Sequence, residues 1–238
     1  MQSKFESYLK DNFPYLIKER CIICCSGGVD SIVLFHLMLS VNKNIIVAHC
    51  NFKLRGVESD KDEEFVKKLS EENSIKFYSK SFDTKKIKEH SNNSIQMIAR
   101  DLRYEFFDKI SNELKINHIL TAHHLNDSLE SFIINLSRGS GLDGLTGVPM
   151  LNGKIKRPLI DFEKKEIIDY AKNKNLRWRE DSSNNSNSYL RNKVRNNIIN
   201  DLEDLEGNFF KNFKKTIKYL KMSNSLIYER INQIKADL

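Results

Sequence analysis

Cys21-Ile22-Ile23-Cys24-Cys25-Ser26-Gly27-Gly28-Val29-Asp30-Ser31 joins a short apolar run to a double-glycine turn and then to a helical pattern. Cys21 to Cys25 reads as a buried strand. Ser-Gly-Gly reads as a tight turn. From Asp30 to Leu39, Val33, Leu34, Leu37 and Met38 recur at helical spacing. Two glycines let the backbone approach an anion closely, and the helix start offers N–H groups that have no partner inside the helix. The Ser26 and Ser31 hydroxyls add donors. Asp30, an anion beside phosphates, makes sense if it helps hold Mg²⁺ bridging them. The stretch has no Gly-Lys-Ser/Thr, so it is not an ordinary P-loop, and it lacks the third glycine of a dinucleotide fingerprint. A Gly-Gly turn with Asp30 as helix cap accounts for part of the pattern but leaves the flanking serines unexplained.

Outward from this stretch, strand-like and helix-like segments alternate. Ile45 to Cys50 is a second strand, Phe77 and Tyr78 mark a third, and Ile119 to Ala122 form a fourth. Ser59 with Asp62 resembles a capping box opening a helix striped by Phe65, Val66 and Leu69. Ile95, Ile98, Ala99, Leu102 and Phe106 share a face of a long helix, and Asn126 to Ser137 is another. Such alternation predicts an α/β fold with a doubly wound, mainly parallel sheet flanked by helices. Ligands of such sheets bind at the carboxyl ends of the strands. Three polar stretches fall there: Ser26 to Ser31, His49 to Arg55, and Ala122 to Glu130. Gly139 to Gly147, with four of the nine glycines, reads as a loop. Asp161 is placed as the cap of a helix through Ile167, Ile168 and Ala171. Ser182 to Ser188 reads as a loop, and the spacing from Leu202 through Leu205, Phe209, Phe213 and Ile217 to Leu220 predicts one long amphipathic helix from Asp201. The expected organisation is a domain over residues 1–200 and a C-terminal helical extension over 201–238.

The balance of 39% hydrophobic and 30% charged residues is that of an ordinary globular chain. No apolar run reaches bilayer-spanning length and the first ten residues have no signal-peptide character, so no membrane association and a cytoplasmic location are expected. Cys21-x-x-Cys24 invites a metal or redox reading, but it lies inside the apolar run and no second ligand pair follows. The net charge of +7 sits entirely in residues 151–238, which hold 19 Lys and Arg against 12 Asp and Glu. That asymmetry points to a polyanionic partner or to a well-solvated lysine-rich surface.

Ser26-Gly27-Gly28-Val29-Asp30-Ser31 matches the PP-loop, Ser-Gly-Gly-x-Asp-Ser, of the N-type ATP pyrophosphatases. Further segments, in order, resemble the tRNA(Ile)-lysidine synthases of that superfamily: Val47 to Gly56 with Glu58-Ser59-Asp60; Arg100 to Tyr104; Thr121-Ala122-His123-His124-Leu125-Asn126-Asp127-Ser128-Leu129-Glu130; Arg138 to Gly141 and Gly144 to Gly147; Arg157-Pro158-Leu159; Glu180 to Asn184; and Arg191-Asn192-Lys193-Val194-Arg195. The resemblance covers about Arg20 to Asn200. It implies that ATP adenylates the C2 oxygen of the wobble cytidine of an isoleucine tRNA with a CAU anticodon, releasing pyrophosphate. The amine of free L-lysine then displaces AMP.

On that resemblance, Ser26, Gly27, Gly28, Val29, Asp30 and Ser31 hold ATP with His49 and Arg100, and Asp30 carries Mg²⁺. Asp127 and Glu130, one helical turn apart, are catalytic and with Glu180 hold the substrate lysine. As plain residues, the two acids equally suit a helix N-terminus. Arg55, Arg103, Arg191, Lys193 and Arg195 are assigned to tRNA or phosphate, with exposed basic surface as the alternative. His123 and His124 are proton carriers or structural. Ser128 stands where the family has Gln, and Phe52 where it has a second His. The chain ends at Leu238, where many relatives carry further tRNA-holding domains, so a short natural form, a truncated chain and a degenerate one are all compatible. Oligomeric state stays open, a homodimer included. A 2-thiolating PP-loop enzyme and a non-catalytic RNA-binding relative are the alternatives.

Overall fold

The computed structural model describes residues 1–180, 190–205 and 207–237. These divide into two compact units, one of residues 1–122, 150–159 and 165–180, the other of residues 123–149, 160–164 and 181–238.

The first unit holds the sheet. α1 (Gln2–Asn12) precedes β1 (Cys21–Cys24), α2 (Val29–Val41), β2 (Ile45–Asn51), α3 (Val57–Glu72), β3 (Lys76–Ser81), α4 (Thr84–Glu89), α5 (Ile95–Leu114) and β4 (Ile119–Leu120). With β5 (Leu151–Asn152) and β6 (Ile155–Lys156) the strand order is β3-β2-β1-β4-β6-β5. Strands β1 to β4 are parallel to their neighbours, with Ile22 facing Ile46 on one side and Ile119 on the other. The chain therefore winds outward from β1 to β3 and crosses back to β4, making the β1–β4 boundary the switch point of the sheet. One face packs Ile22, Ile46 and Ala48 against Phe82, Phe106, Phe107 and Ile110. α2 buries Ile32, Val33, Leu34, Phe35, Leu37 and Met38. It is apolar nearly all round because most of its length is buried in the unit. The unit ends with β5 (Leu151–Asn152) and β6 (Ile155–Lys156), an antiparallel pair whose β6 lies parallel to β4, and α8 (Lys164–Asn173) follows.

The second unit is helical: α6 (Leu125–Ser137), α7 (Leu142–Leu145), α9 (Leu190–Lys193), a π-helical segment (Val194–Ile198), α10 (Ile199–Leu205) and α11 (Phe209–Ala236). Its core joins Leu125, Leu129, Val194, Ile199, Phe213 and Ile217. No helix among the described residues is long and apolar enough to cross a membrane.

Four local expectations change. α3 begins at Val57 with Gly56 as its N-cap at φ +56, so Ser59 is inside the first turn rather than before it. The Ser59 hydroxyl accepts from the Arg55 N–H at 3.1 Å, and Asp62 is used for ion pairing. Asp161 does not cap α8. The Lys164 N–H donates instead to Oδ1 of Asn126 at 2.9 Å, while Asp161 pairs with Lys214. The Gly139 to Gly147 stretch contains the short helix α7. The helix expected from Asp201 is two, α10 and α11, with Gly207 in the break and Leu205 79% exposed. The loop read at Ser182 to Ser188 and most of the Glu180 to Asn184 segment lie outside the described residues.

Candidate active site

In the first unit, the chain leaves β1 into a loop that folds around the hydroxyl of Ser31. The Ser31 Oγ accepts the N–H groups of Ser26 and Gly27, both at 3.2 Å, and donates to the Gly28 carbonyl at 2.9 Å. Its single proton is thereby used, so the Ser26 hydroxyl 3.3 Å away is the donor of that pair. Two amides, the Ser26 hydroxyl and, at 3.6 Å, the Cys25 thiol converge on one buried oxygen. Successive N–H groups aimed at a point are the construction of an anion-binding nest. Gly27 makes this possible at φ +91, and a Cβ there would lie 3.4 Å from Cγ2 of Val66. α2 starts at Gly28 as N-cap with no side chain on its first amides, and Asp30 is in its first turn, half-buried.

His49 lies near the end of β2, buried, with Nδ1 2.8 Å from the Cys25 carbonyl. A carbonyl only accepts, so Nδ1 carries the proton. Burial pushes the imidazole below its ordinary value, outweighing the contact with Cys25 and the charges of Glu63 and Asp62, so it is neutral at pH 7. The loop has a second brace that sequence reading missed. The Arg179 N–H donates to the Gly27 carbonyl at 2.9 Å, and its side chain donates to Asp62 at 2.9 Å through Nε and to Glu58 at 2.6 Å. Arg55 shares the buried Asp62. Nothing local marks Arg179, because its acidic partners lie 117 and 121 positions earlier in the chain.

Arg100 is exposed and lies over Tyr104, its guanidinium carbon 5.0 Å from the ring centroid. Arg103 lies 5.4 Å over Phe52, which itself stacks on Phe82. Glu180 is exposed. Burial pushes the Cys21 and Cys50 thiols up to about 12 and raises Cys24 and Cys25 as well. Among the described residues no cluster of three His, Cys, Asp or Glu forms a metal cage.

In the second unit the structure brings Asp127 and Glu130 together with Arg191 and Arg195. Asp127, at the third position of α6, accepts the His124 N–H at 2.9 Å. Burial alone would raise its carboxyl, but His124, His123, that backbone bond and Arg191 hold it below the usual range. Glu130 has no solvent exposure. Its two oxygens receive Arg191 Nε at 2.8 Å and Arg195 Nε at 2.6 Å. Arg191 also reaches Ser131 at 3.0 Å, and Arg195 lies 3.6 Å from Asp127. Thus two of the three residues assigned to phosphate contact here bind the acid assigned to the substrate lysine. Lys193 is exposed. Ser128 is buried, and a Cβ on Gly147 would stand 3.1 Å from its Cβ.

A family model described as the PP-loop domain matches residues 1–202. The tRNA(Ile)-lysidine synthase of Chlorobaculum tepidum is 41% identical over 187 residues, covering 77% of this chain and 56% of that protein. That of Bacteroides thetaiotaomicron is 33% identical over 235 residues, covering 99% of this chain and 55% of that protein. The chain therefore spans about half the length of these curated relatives. Among solved structures, the U34-tRNA thiolase NcsA from Methanococcus maripaludis, with its [4Fe-4S] cluster, has a TM-score of 0.73 at 20% identity, over 92% of this chain and 77% of that one, a likeness of fold. From the donor nest after β1 to the residues matched, the chain belongs to the PP-loop domain family.

Proposed function

We propose that this protein joins lysine to C2 of the wobble cytidine of isoleucine tRNA with a CAU anticodon, through an adenylated cytidine, with release of AMP and pyrophosphate. The observation that carries the reading is the convergence of the Ser26 and Gly27 amides and the Ser26 hydroxyl on one point at the switch of the sheet. Those donors suit the β- and γ-phosphates of ATP, which leave together as pyrophosphate. The similarity to proteins named tRNA(Ile)-lysidine synthase supplies the substrates. The catalytic part is assigned to residues 1–200 and the helical extension to 201–238.

Mg²⁺ fits this donor set. It binds through one or two carboxylates plus substrate phosphates and needs no all-protein cage. Asp30, in the first turn of α2, is the carboxylate that would hold it, and the ion would neutralise charge on the departing pyrophosphate. His49, neutral, is available to the nucleotide as a hydrogen-bonding group rather than a cation. Arg100 and Arg103 are assigned to nucleotide or RNA phosphate, and Arg55 works through Asp62. Asp127, kept ionised, is the carboxylate best suited to the lysine ammonium, with Glu180 as a second. Glu130, enclosed by two arginines, orients them rather than the ligand. The raised cysteine thiols count against the thiolating alternative, because thiol chemistry uses the thiolate.

The test is incubation with ATP, Mg²⁺, labelled lysine and unmodified isoleucine tRNA bearing CAU. Label is expected in the tRNA with equimolar pyrophosphate. Binding of that tRNA without incorporation of lysine would overturn the reading in favour of the non-catalytic relative.

A further inference from the structure

The excess positive charge of the last third must lie on some surface, and Arg191 and Arg195 have their Nε atoms on Glu130. The next concentration is α11. From Phe209 to Tyr228 this helix carries five lysines, Lys211, Lys214, Lys215, Lys218 and Lys221, and no Asp or Glu. An exposed helix normally offsets its lysines with acids one turn away. Lys214 lies 3.6 Å from the Asp161 carboxylate. Lys211, Lys215 and Lys218 have no acid three or four residues away in either direction. At about 100° per residue these three span an arc of about 60°, on the side opposite Phe213, Ile217 and Leu220.

Over Phe213 to Leu220 that apolar side is already occupied. Phe213 and Ile217 are buried among Leu125, Leu129 and Val194, with Phe132 edge-on to Phe213 at 5.6 Å. The lysine face therefore points outward, with Tyr219, 64% exposed, beside it. We propose that Lys211, Lys215 and Lys218 form a docking surface for the sugar-phosphate backbone of a structured RNA. Flexible ammonium groups about 10 Å apart end to end along the helix suit phosphates. Such contacts position an RNA without reading its bases. An anionic membrane would need the apolar face of the helix free to insert. Beside these lysines that face, through Phe213 and Ile217, is packed in the core of its own unit, and the exposed Ile227, Ile231 and Ile234 lie farther along the helix. That the RNA is the tRNA substrate rests on the lysidine reading. The surface itself does not.

The experiment compares the whole chain with a Lys211→Gln/Lys215→Gln/Lys218→Gln variant, measuring affinity for an isoleucine tRNA transcript against salt. A Lys67→Gln/Lys109→Gln/Lys172→Gln variant makes the same change of charge elsewhere. The slope of log K against log salt is expected to fall by about one per lysine in the α11 variant, and not in the control. Circular dichroism of both variants should match the parent. An equal fall in both variants, an unchanged slope, or no RNA binding by the parent overturns the proposal, as does tight binding to phosphatidylserine vesicles with RNA binding unaltered by the substitutions. Loss of slope without lysine incorporation by the parent upholds the surface and removes the lysidine reading instead.

Discussion

The Nε of Arg195 lies 2.6 Å from Oε1 of Glu130, a carboxylate with no solvent exposure. Arg191 meets the other oxygen at 2.8 Å. A buried carboxylate left without a partner costs about 3–5 kcal/mol, whereas losing one of two partners costs far less. Arg191→Ala and Arg195→Ala are each expected to destabilise by about 1–2 kcal/mol, and the double variant by about 3–5 kcal/mol. Urea unfolding checks this through a double-mutant cycle. Strict additivity would mean that Glu130 is compensated by other groups.

Gly27→Ala tests the nest. The backbone there sits at φ +91, a conformation that L side chains rarely adopt, while the added methyl would meet Val66 Cγ2 at a contact distance of 3.4 Å. A strained residue of this kind costs about 1–3 kcal/mol. In a chain of this size that lowers Tm by at least about 2 °C. Pyrophosphate release is expected to fall further than stability, because the Ser26 and Gly27 amides would no longer share a focus. An unaltered Tm would show that the loop relaxes around the methyl.

His49→Asn addresses pH. Burial lowers the folded pKa of His49 below its unfolded value. The stability linked to a neutral His49 is therefore complete above the unfolded value near about 6.5. It is lost as pH falls from there through the folded value, because the unfolded chain binds the proton first. Asn places an amide donor where Nδ1 stands and does not titrate. Urea midpoints between pH 8 and pH 5 should decline less steeply in the variant than in the parent. Parallel profiles would assign the acid sensitivity to other groups.

What the sequence disclosed follows from the range of the interactions. β1, α2, β2 and α5 were legible because apolar spacing is a local property, and the nest because Ser26 to Ser31 is contiguous. The cap of α8 was not, since Asn126 reaches Lys164 across 38 positions, whereas Asp161 stood at the conventional spot. Ser59 and Asp62 match a capping pattern, but Gly56 at φ +56 starts α3 three residues earlier than that pattern requires. Arg191 and Arg195 read from sequence as phosphate contacts or exposed basic surface because their partner Glu130 is 61 and 65 residues away.

Arg179 is the residue for which that distance matters most, and its effect should separate from that of Asp62. Its side chain is one-third exposed, so the ion pairs with Asp62 and Glu58 are partly screened. Arg179→Ala is accordingly expected to cost only about 1 kcal/mol of stability. Asp62 is buried and serves both Arg55 and Arg179. Asp62→Ala should therefore cost about 3 kcal/mol, the scale for breaking a buried pair. The ranking for ATP differs, since the Arg179 main chain holds the Gly27 carbonyl while its side chain is anchored to Asp62 and Glu58 of α3. With the side-chain anchor gone, that N–H is no longer fixed against the loop. KM for ATP is expected to rise several-fold in Arg179→Ala and to recover in part in Arg179→Lys, which restores one of the two acidic contacts. A KM unchanged from the parent would show that the backbone bond to Gly27 holds the loop without help from Asp62 and Glu58.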